Sequence, residues 1–479
     1  MFPSFMNRRT FLGQAGLSPG AAALAAMMAA DSNVGKGATP ESAGSAVVGH
    51  QSGSHFRARV KRVIFLCMAG GPSHLETFDP KPALAKLDGQ PMPESYTAGQ
   101  PIAQLQGQAL KCLGPQTRFR SCGQNGLEIS EFLPWHQKMA DDICVLRSLV
   151  TEQINHDPAH TFMNTGTAIS GRPSMGSWVN YGLGSEAQNL PGFVVMTSVG
   201  GRNPQPIASR QWSAGFLPGR FQGVEFNSTG SPVHYLDTPP GVSMESQRRL
   251  LDTVRELNLH RNRSHPNPEL ETRVSAYEMA FQMQMSVPEL VDMSDEPRHI
   301  LEMYGATPGD GSYASNCLLA RRMAERGVRF IHLYHRGWDH HGGLVQYMNT
   351  CCGLTDRPTW ALIQDLKQRG LLDDTLVIWG GEFGRTPMFQ GKGGAGRDHH
   401  IKGFSMWMAG GGIKGGTSYG ATDELGYNAV SDVVHVRDLH ATMLYMLGLQ
   451  HDRLSLKYQG LDMRLTGVEP ARVIHDILT

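Results

Sequence analysis

Histidines and carboxylates gather where apolar runs of this chain end. The densest group is 331-IHLYHRGWDHHGG-343, in which a strand-like run stops at Gly337 and His335, Asp339, His340 and His341 crowd around the stop. Carboxylate oxygen and neutral imidazole nitrogen together suit zinc and similar divalent cations. Asp339 and His341 are too close in sequence to share one helix face, but a loop can turn both inward. The competing reading is a hydrogen-bonded turn with exposed histidines.

Four further groups follow the same pattern. In 70-GGPSHLETFDPKP-82, two glycines open a loop holding Ser73, His74, Glu76 and Asp79, with His74 readable as a ligand or as a turn residue. In 155-NHDPAHTFMNTG-166, His156, Asp157 and His160 begin a helix-like stretch. Its free amides and dipole favour an anion, while Asp157 reads equally as an N-cap. In 380-GGEFGRTP-387, Glu382 lies between glycines, and the fork of Arg385 suits an anionic group. In 391-GKGGAGRDHHIKGF-404, a glycine-rich loop delivers Asp398, His399 and His400, read as ligands or as surface histidines. A later stretch, 435-HVRDLHATMLYMLGL-449, reads as an amphipathic helix whose His435 and His440 either support ligands or pack and cap.

The elements that must position these groups are legible as apolar runs. Six strands are expected, at 62–71, 143–150, 193–199, 328–334, 375–384 and 404–412. Helical patterns at 316–327 and 359–370 lie between some of them, each closed by glycine. Strands alternating with helices predict a three-layer α/β/α sandwich around a mostly parallel sheet. In such sheets ligands sit at the carboxyl ends of strands. Two insertions interrupt the rhythm, one irregular near 85–130 and one helical near 200–310.

Composition narrows the class. The chain has 479 residues, 40% hydrophobic and 18% charged, enough to bury a large core. Its 43 basic residues equal its 43 acidic ones, and no basic run suggests a nucleic-acid partner. Seven cysteines without a CxxC pair point to buried thiols rather than a disulfide scaffold. At the N-terminus, Arg8 and Arg9 precede 21-AAALAAMMAA-30, an apolar run shorter than the roughly 20 residues of a membrane span. Residues 1–32 therefore read as a twin-arginine export signal, which places the protein in the periplasm or outside the cell without stable membrane insertion. Residues 33–57 read as a disordered linker, and 58–479 as the α/β domain.

From about residue 60 onward the chain resembles the exported family called domain of unknown function 1501, a sulfatase-like branch of the alkaline phosphatase superfamily. The motifs that carry this are GGPSHLETFDPKP, NHDPAHTFMNTG, GRPSMGSWVNYGLGS, GWDHHGG, DTLVIWGGEFGRTP, GRDHH, DLHATMLYMLGL and YQGLDMRLTG. The resemblance implies a metal-dependent hydrolase of sulfate or phosphate esters, acting on an anionic small molecule or polysaccharide ester. It implies one or two divalent ions (zinc, calcium or manganese) held by Asp339, His341, Glu382 and His399 or His400, with His74 as a further candidate. His156 stands where sulfatases place a Cys or Ser nucleophile, so His156 or Asp157 is expected as general base, or His156 as nucleophile, with Arg385 binding the anionic group. The alternative is a catalytically inactive envelope protein that binds sulfated or other polysaccharide.

Overall fold

The computed structural model describes residues 53–201, 205–234, 236–238, 241–264, 268–391 and 394–479. The expected export signal and the linker up to residue 52 lie outside the described residues. The last linker residues are tied down: the His55 amide donates to the Gly448 carbonyl at 2.8 Å, and Phe56 packs on Tyr445.

All six expected strands form. They are β1 (Arg62–Ala69), β2 (Ile143–Val150), β3 (Phe193–Thr197), β5 (Phe330–Arg336), β6 (Thr375–Gly380) and β7 (Phe404–Ala409). Three short strands complete a nine-stranded sheet: β4 (Val224–Phe226), β8 (Thr417–Tyr419) and β9 (Val434–His435). The order is β8-β2-β7-β6-β1-β5-β3-β4, with β9 also paired to β2. The pairings of β1 with β5 and β6 are parallel, as are those of β3 with β4 and β5 and of β2 with β8 and β9. Among the described strands of this sheet, only β7 runs against its neighbours.

Both faces of the sheet are covered. Val63, Phe65 and Cys67 point to one face of β1 and Ile64, Leu66 and Met68 to the other, and all six are buried. This is why the strands read as continuous apolar runs rather than alternating ones. Helix α1 (His156–Thr165) and helix α2 (Met175–Leu183) lie on the face that carries His332 and Tyr334: His160 meets the Tyr334 ring, and Gly176 packs tightly on Phe193. On the opposite face, α5 (Tyr313–Glu325) and α6 (Leu344–Gln368) share a core with Ile331 and Leu333. The helical insertion holds α3 (Met244–Ser264) and α4 (Pro268–Val291). The irregular insertion carries a hairpin of Phe119–Cys122 with Leu127–Ser130, and its Met92 and Leu105 share a small core with Leu75, Met388 and Tyr427.

Helix α6 is longer than its pattern suggested. Pro358 masks the start of the run, yet the helix passes through it, losing one main-chain bond while Leu362, Ile363 and Leu366 hold the buried face. Cys351 and Cys352 face the core from this helix, and burial pushes the Cys351 thiol up to about 12. All seven cysteines are free. No helix among the described residues is long and apolar enough to cross a membrane.

Candidate metal centre

The carboxyl ends of β1, β2, β5 and β6 open on one edge of the sheet. Because β7 runs the other way, the chain just before it arrives at the same edge, bringing the short strand His399–His400 against Gly384–Arg385. Four side chains converge there: His156 from the first turn of α1, Asp339 and His341 from the loop after β5, and His399 from the approach to β7. One donor atom of each lies within 4.8 Å of the others.

At the centre is a triangle of acceptor atoms. His341 Nε2 is 2.9 Å from Asp339 Oδ1 and 2.9 Å from His399 Nε2, and His399 Nε2 is 3.2 Å from the same carboxylate oxygen. With the outer nitrogens acting as donors, the inner nitrogens of the neutral rings carry lone pairs. His399 Nδ1–H donates to the Ile154 carbonyl at 2.8 Å, and His341 Nδ1–H donates to Gln390 Oε1 at 2.5 Å. Three lone pairs packed so closely repel unless a cation or proton lies between them. A tetrahedral zinc ion with bonds of 2.0–2.1 Å has ligand-to-ligand edges of about 3.3 Å, close to this triangle. Two imidazoles and one carboxylate are a nitrogen-rich set suited to zinc or another first-row ion, whereas calcium takes oxygen ligands.

His156 stands at the fourth corner. Its Nδ1–H donates to Glu382 Oε1 at 2.6 Å, and its Nε2 lies 3.3 Å from Asp339 Oδ2. Burial pulls its pKa down, but hydrogen bonds to Asp339 and Glu382 outweigh burial and raise it above the usual histidine value. For Asp339, burial works against the charge, yet the Arg385 guanidinium beside it holds its pKa well below the usual carboxylate range. Burial lowers His399 to about 4, which keeps the ring neutral and fit to ligate.

The loops that carry these groups are held from behind. Glu382 has no exposed surface, and its two oxygens accept the Gly70 amide at 3.0 and 3.1 Å. His160, one helical turn after His156, places Nε2 3.4 Å from Glu382 and is fully buried. Burial opposes the Glu382 charge, but His160 and His156 overcome it and hold the group at about 2. Gly70 permits the loop contact: at φ +122°, a Cβ there would meet Asp339 N at 2.5 Å.

The sequence of residues 60–478 matches the family described as Protein of unknown function (DUF1501). The chain belongs to that family. No curated protein matches it. Among solved structures, this DUF1501 protein is similar to Ps i-CgsB in complex with k-i-k-neocarrahexaose, at 9% identity over 82% of this chain and 72% of that one, TM-score 0.36. It is similar to a TAB5 alkaline phosphatase mutant with Mg bound in the M3 site, at 12% identity over 83% and 100%, TM-score 0.33. A third is PsFucS1 sulfatase from Pseudoalteromonas sp., at 12% identity over 81% and 68%, TM-score 0.32. These likenesses are remote, and the chemistry of the DUF1501 site rests on its own residues.

Of the candidate residues, the fold brings together Asp339, His341, His399 and His156, with Glu382 directly behind. Others fall elsewhere. His74 is buried with Nε2 bonded to the Gly426 carbonyl at 2.8 Å, and His400 stacks on Tyr427 and bonds its carbonyl at 2.5 Å. Adjacent residues on a strand face opposite ways, so only one of His399 and His400 can reach the cluster. Asp157 turns outward to pair with Arg210. Arg385 is buried, donating to the Gly70, Gly71 and Arg397 carbonyls and to Asp339 at 2.7 Å, so its fork ties loops together instead of facing a substrate anion. Gln390 and Gln104 touch His341 and carry no motif that marks them. The spacing of His160 four residues after His156 was a usable signal, since such pairs share a helix face.

Proposed function

We propose that this protein is an exported metal-dependent hydrolase of sulfate or phosphate esters. The observation that carries the reading is the acceptor triangle of Asp339, His341 and His399, whose outer nitrogens are already committed as donors. These three residues would hold a divalent cation, with zinc favoured by the donor set. An ion held there would supply Lewis-acid chemistry, polarising an ester oxygen or lowering the pKa of a water.

His156 takes the proton. Glu382 holds its Nδ1–H, so in the neutral ring Nε2 is the acceptor facing the cluster, and Glu382 together with Asp339 stabilises the imidazolium that forms. No Ser, Thr or Cys occupies this position at the helix start, which favours direct attack by water over a covalent serine-type intermediate. Asp339, His341 and His156 are the partly exposed members, so substrate approaches from their side. The first turn of α1 adds a favourable dipole for an anionic ester.

Elemental analysis of the folded protein tests this. About one equivalent of a first-row metal, lost in an Asp339→Ala/His341→Ala double variant, supports the centre. Absence of metal from both proteins after reconstitution with zinc or manganese would sink the hydrolase. His156→Ala should keep the metal and lose turnover of every sulfate and phosphate ester that the parent cleaves. Metal binding without turnover of any ester, combined with retention on sulfated polysaccharide, would instead favour the inactive binding protein. Export rests on Arg8 and Arg9; replacing both with lysine should strand a tagged protein in the cytoplasm.

A further inference from the structure

His341 is the most open of the three triangle residues, and two glutamines enclose it. Its Nδ1–H donates to Gln390 Oε1 at 2.5 Å. Gln390 Nε2 donates to Gln104 Oε1 at 3.1 Å. Gln104 Nε2 donates back to His341 Nε2 at 3.2 Å. The three side chains form a closed ring in which each donates once and accepts once. With the amide oxygens and nitrogens placed as they are, the ring runs in the direction that puts the proton of His341 on Nδ1. That leaves the Nε2 lone pair aimed at Asp339 and His399.

The two glutamines differ in support. Gln390 is buried and lies in a short strand, Gln390–Gly391, paired with Ala395–Gly396. Gly396 is pressed against the main chain of His341, where an added Cβ would come within 2.1 Å of the carbonyl carbon. Gln390 and the His341 backbone are therefore held by one rigid unit. Gln104 is exposed and arrives from the irregular insertion, anchored next door by the Leu105 amide, which donates to Asp398 Oδ2 at 2.8 Å. It covers His341 on the solvent side.

We propose that Gln390 is the positioning residue that fixes the ligating tautomer of His341, and that Gln104 is a displaceable cap bonded to the same lone pair a cation must take. This rests on the metal-centre reading above and adds an opposition of roles. Gln390 favours loading. Gln104 competes with it, and once displaced leaves its amide at the substrate side of the centre.

The test is titration of the cation-free full chain with zinc alone, read by calorimetry, for the parent and for Gln390→Ala, Gln390→Glu and Gln104→Ala. Gln390→Ala should weaken zinc binding by about ten- to hundredfold, the usual effect of removing a ligand's outer partner. Gln390→Glu, which still accepts from Nδ1–H, should bind at least as tightly as the parent. Gln104→Ala should bind zinc as tightly or a few-fold more tightly, and load faster. Nitrogen NMR of 15N-histidine protein should show the Nδ1–H tautomer at His341 in the parent and lose it in Gln390→Ala. Equal zinc affinity in parent and Gln390→Ala would overturn the positioning role. A loss in Gln104→Ala matching that in Gln390→Ala would overturn the cap and leave the ring merely structural. A parent that binds no zinc would fail at the metal centre itself, a separate failure from either of these.

Discussion

Glu382 keeps its charge with no exposed surface because His156, His160 and the Gly70 amide surround it. A buried carboxylate costs stability unless it is paired and bonded, and here the pairing also aims His156. Glu382→Gln keeps the shape and removes the charge. It should lower ester turnover by about ten- to hundredfold, as loss of an orienting partner does, while zinc binding at Asp339, His341 and His399 persists. Steady-state kinetics beside a zinc titration separates the two effects. If the variant lost zinc as fully as an Asp339→Ala variant, Glu382 would belong to the ligand set instead.

At the scale of elements, the centre depends on how closely β1 and β5 bring their following loops. Gly70→Ala forces a Cβ into the Asp339 backbone at a φ of +122°, so both strain and overlap apply. A loss of about 3 kcal/mol or more is expected in denaturant unfolding, with zinc affinity falling alongside. Unchanged stability would show that the loops move apart without penalty. Helix α7 (Val436–Met446) makes a different kind of contact: His440 is fully buried with Nε2 donating to the Met163 carbonyl of α1 at 2.7 Å. Burial lowers its pKa to about 4, although that bond works the other way. A histidine depressed in the folded state binds its proton first in the unfolded chain. Stability from His440 is therefore whole above pH 6.5 and declines as pH falls towards 4, by about 3 kcal/mol at the limit. His440→Gln should flatten that part of the stability–pH curve measured on cation-free protein.

For the whole molecule, metal and fold should be linked. The three ligands come from two distant segments, the loop after β5 and the approach to β7, so a bound ion crosslinks parts of the chain that separate on unfolding. Zinc at a hundred times its dissociation constant should stabilise the native state by about 2.7 kcal/mol, seen as a rise in Tm that EDTA reverses. The Asp339→Ala/His341→Ala variant should show no such rise. A zinc-induced rise that survived in that variant would place the binding elsewhere on the molecule.

The sequence by itself determined the six long strands, because strands buried on both faces must be apolar along their whole length. It determined that Asp339, His341, Glu382 and His399 sit near strand ends, since motif and apolar run are contiguous in the chain. It did not show β4, β8 and β9, which are too short to carry a pattern and gain their bonds from neighbours already in place. Three-dimensional packing alone decided which polar groups meet. Among the described strands of the central sheet only β7 is antiparallel, and that reversal delivers His399 to the edge where the other strands end, with His400 turned to Tyr427. Arg385 looked like a substrate anchor because a guanidinium suits anions, but the Gly70, Gly71 and Arg397 carbonyls take its fork. Gln104 and Gln390 are 286 residues apart and lack any signature. Long-range hydrogen bonding of this kind leaves no periodicity to read, so only the folded chain could place them on His341.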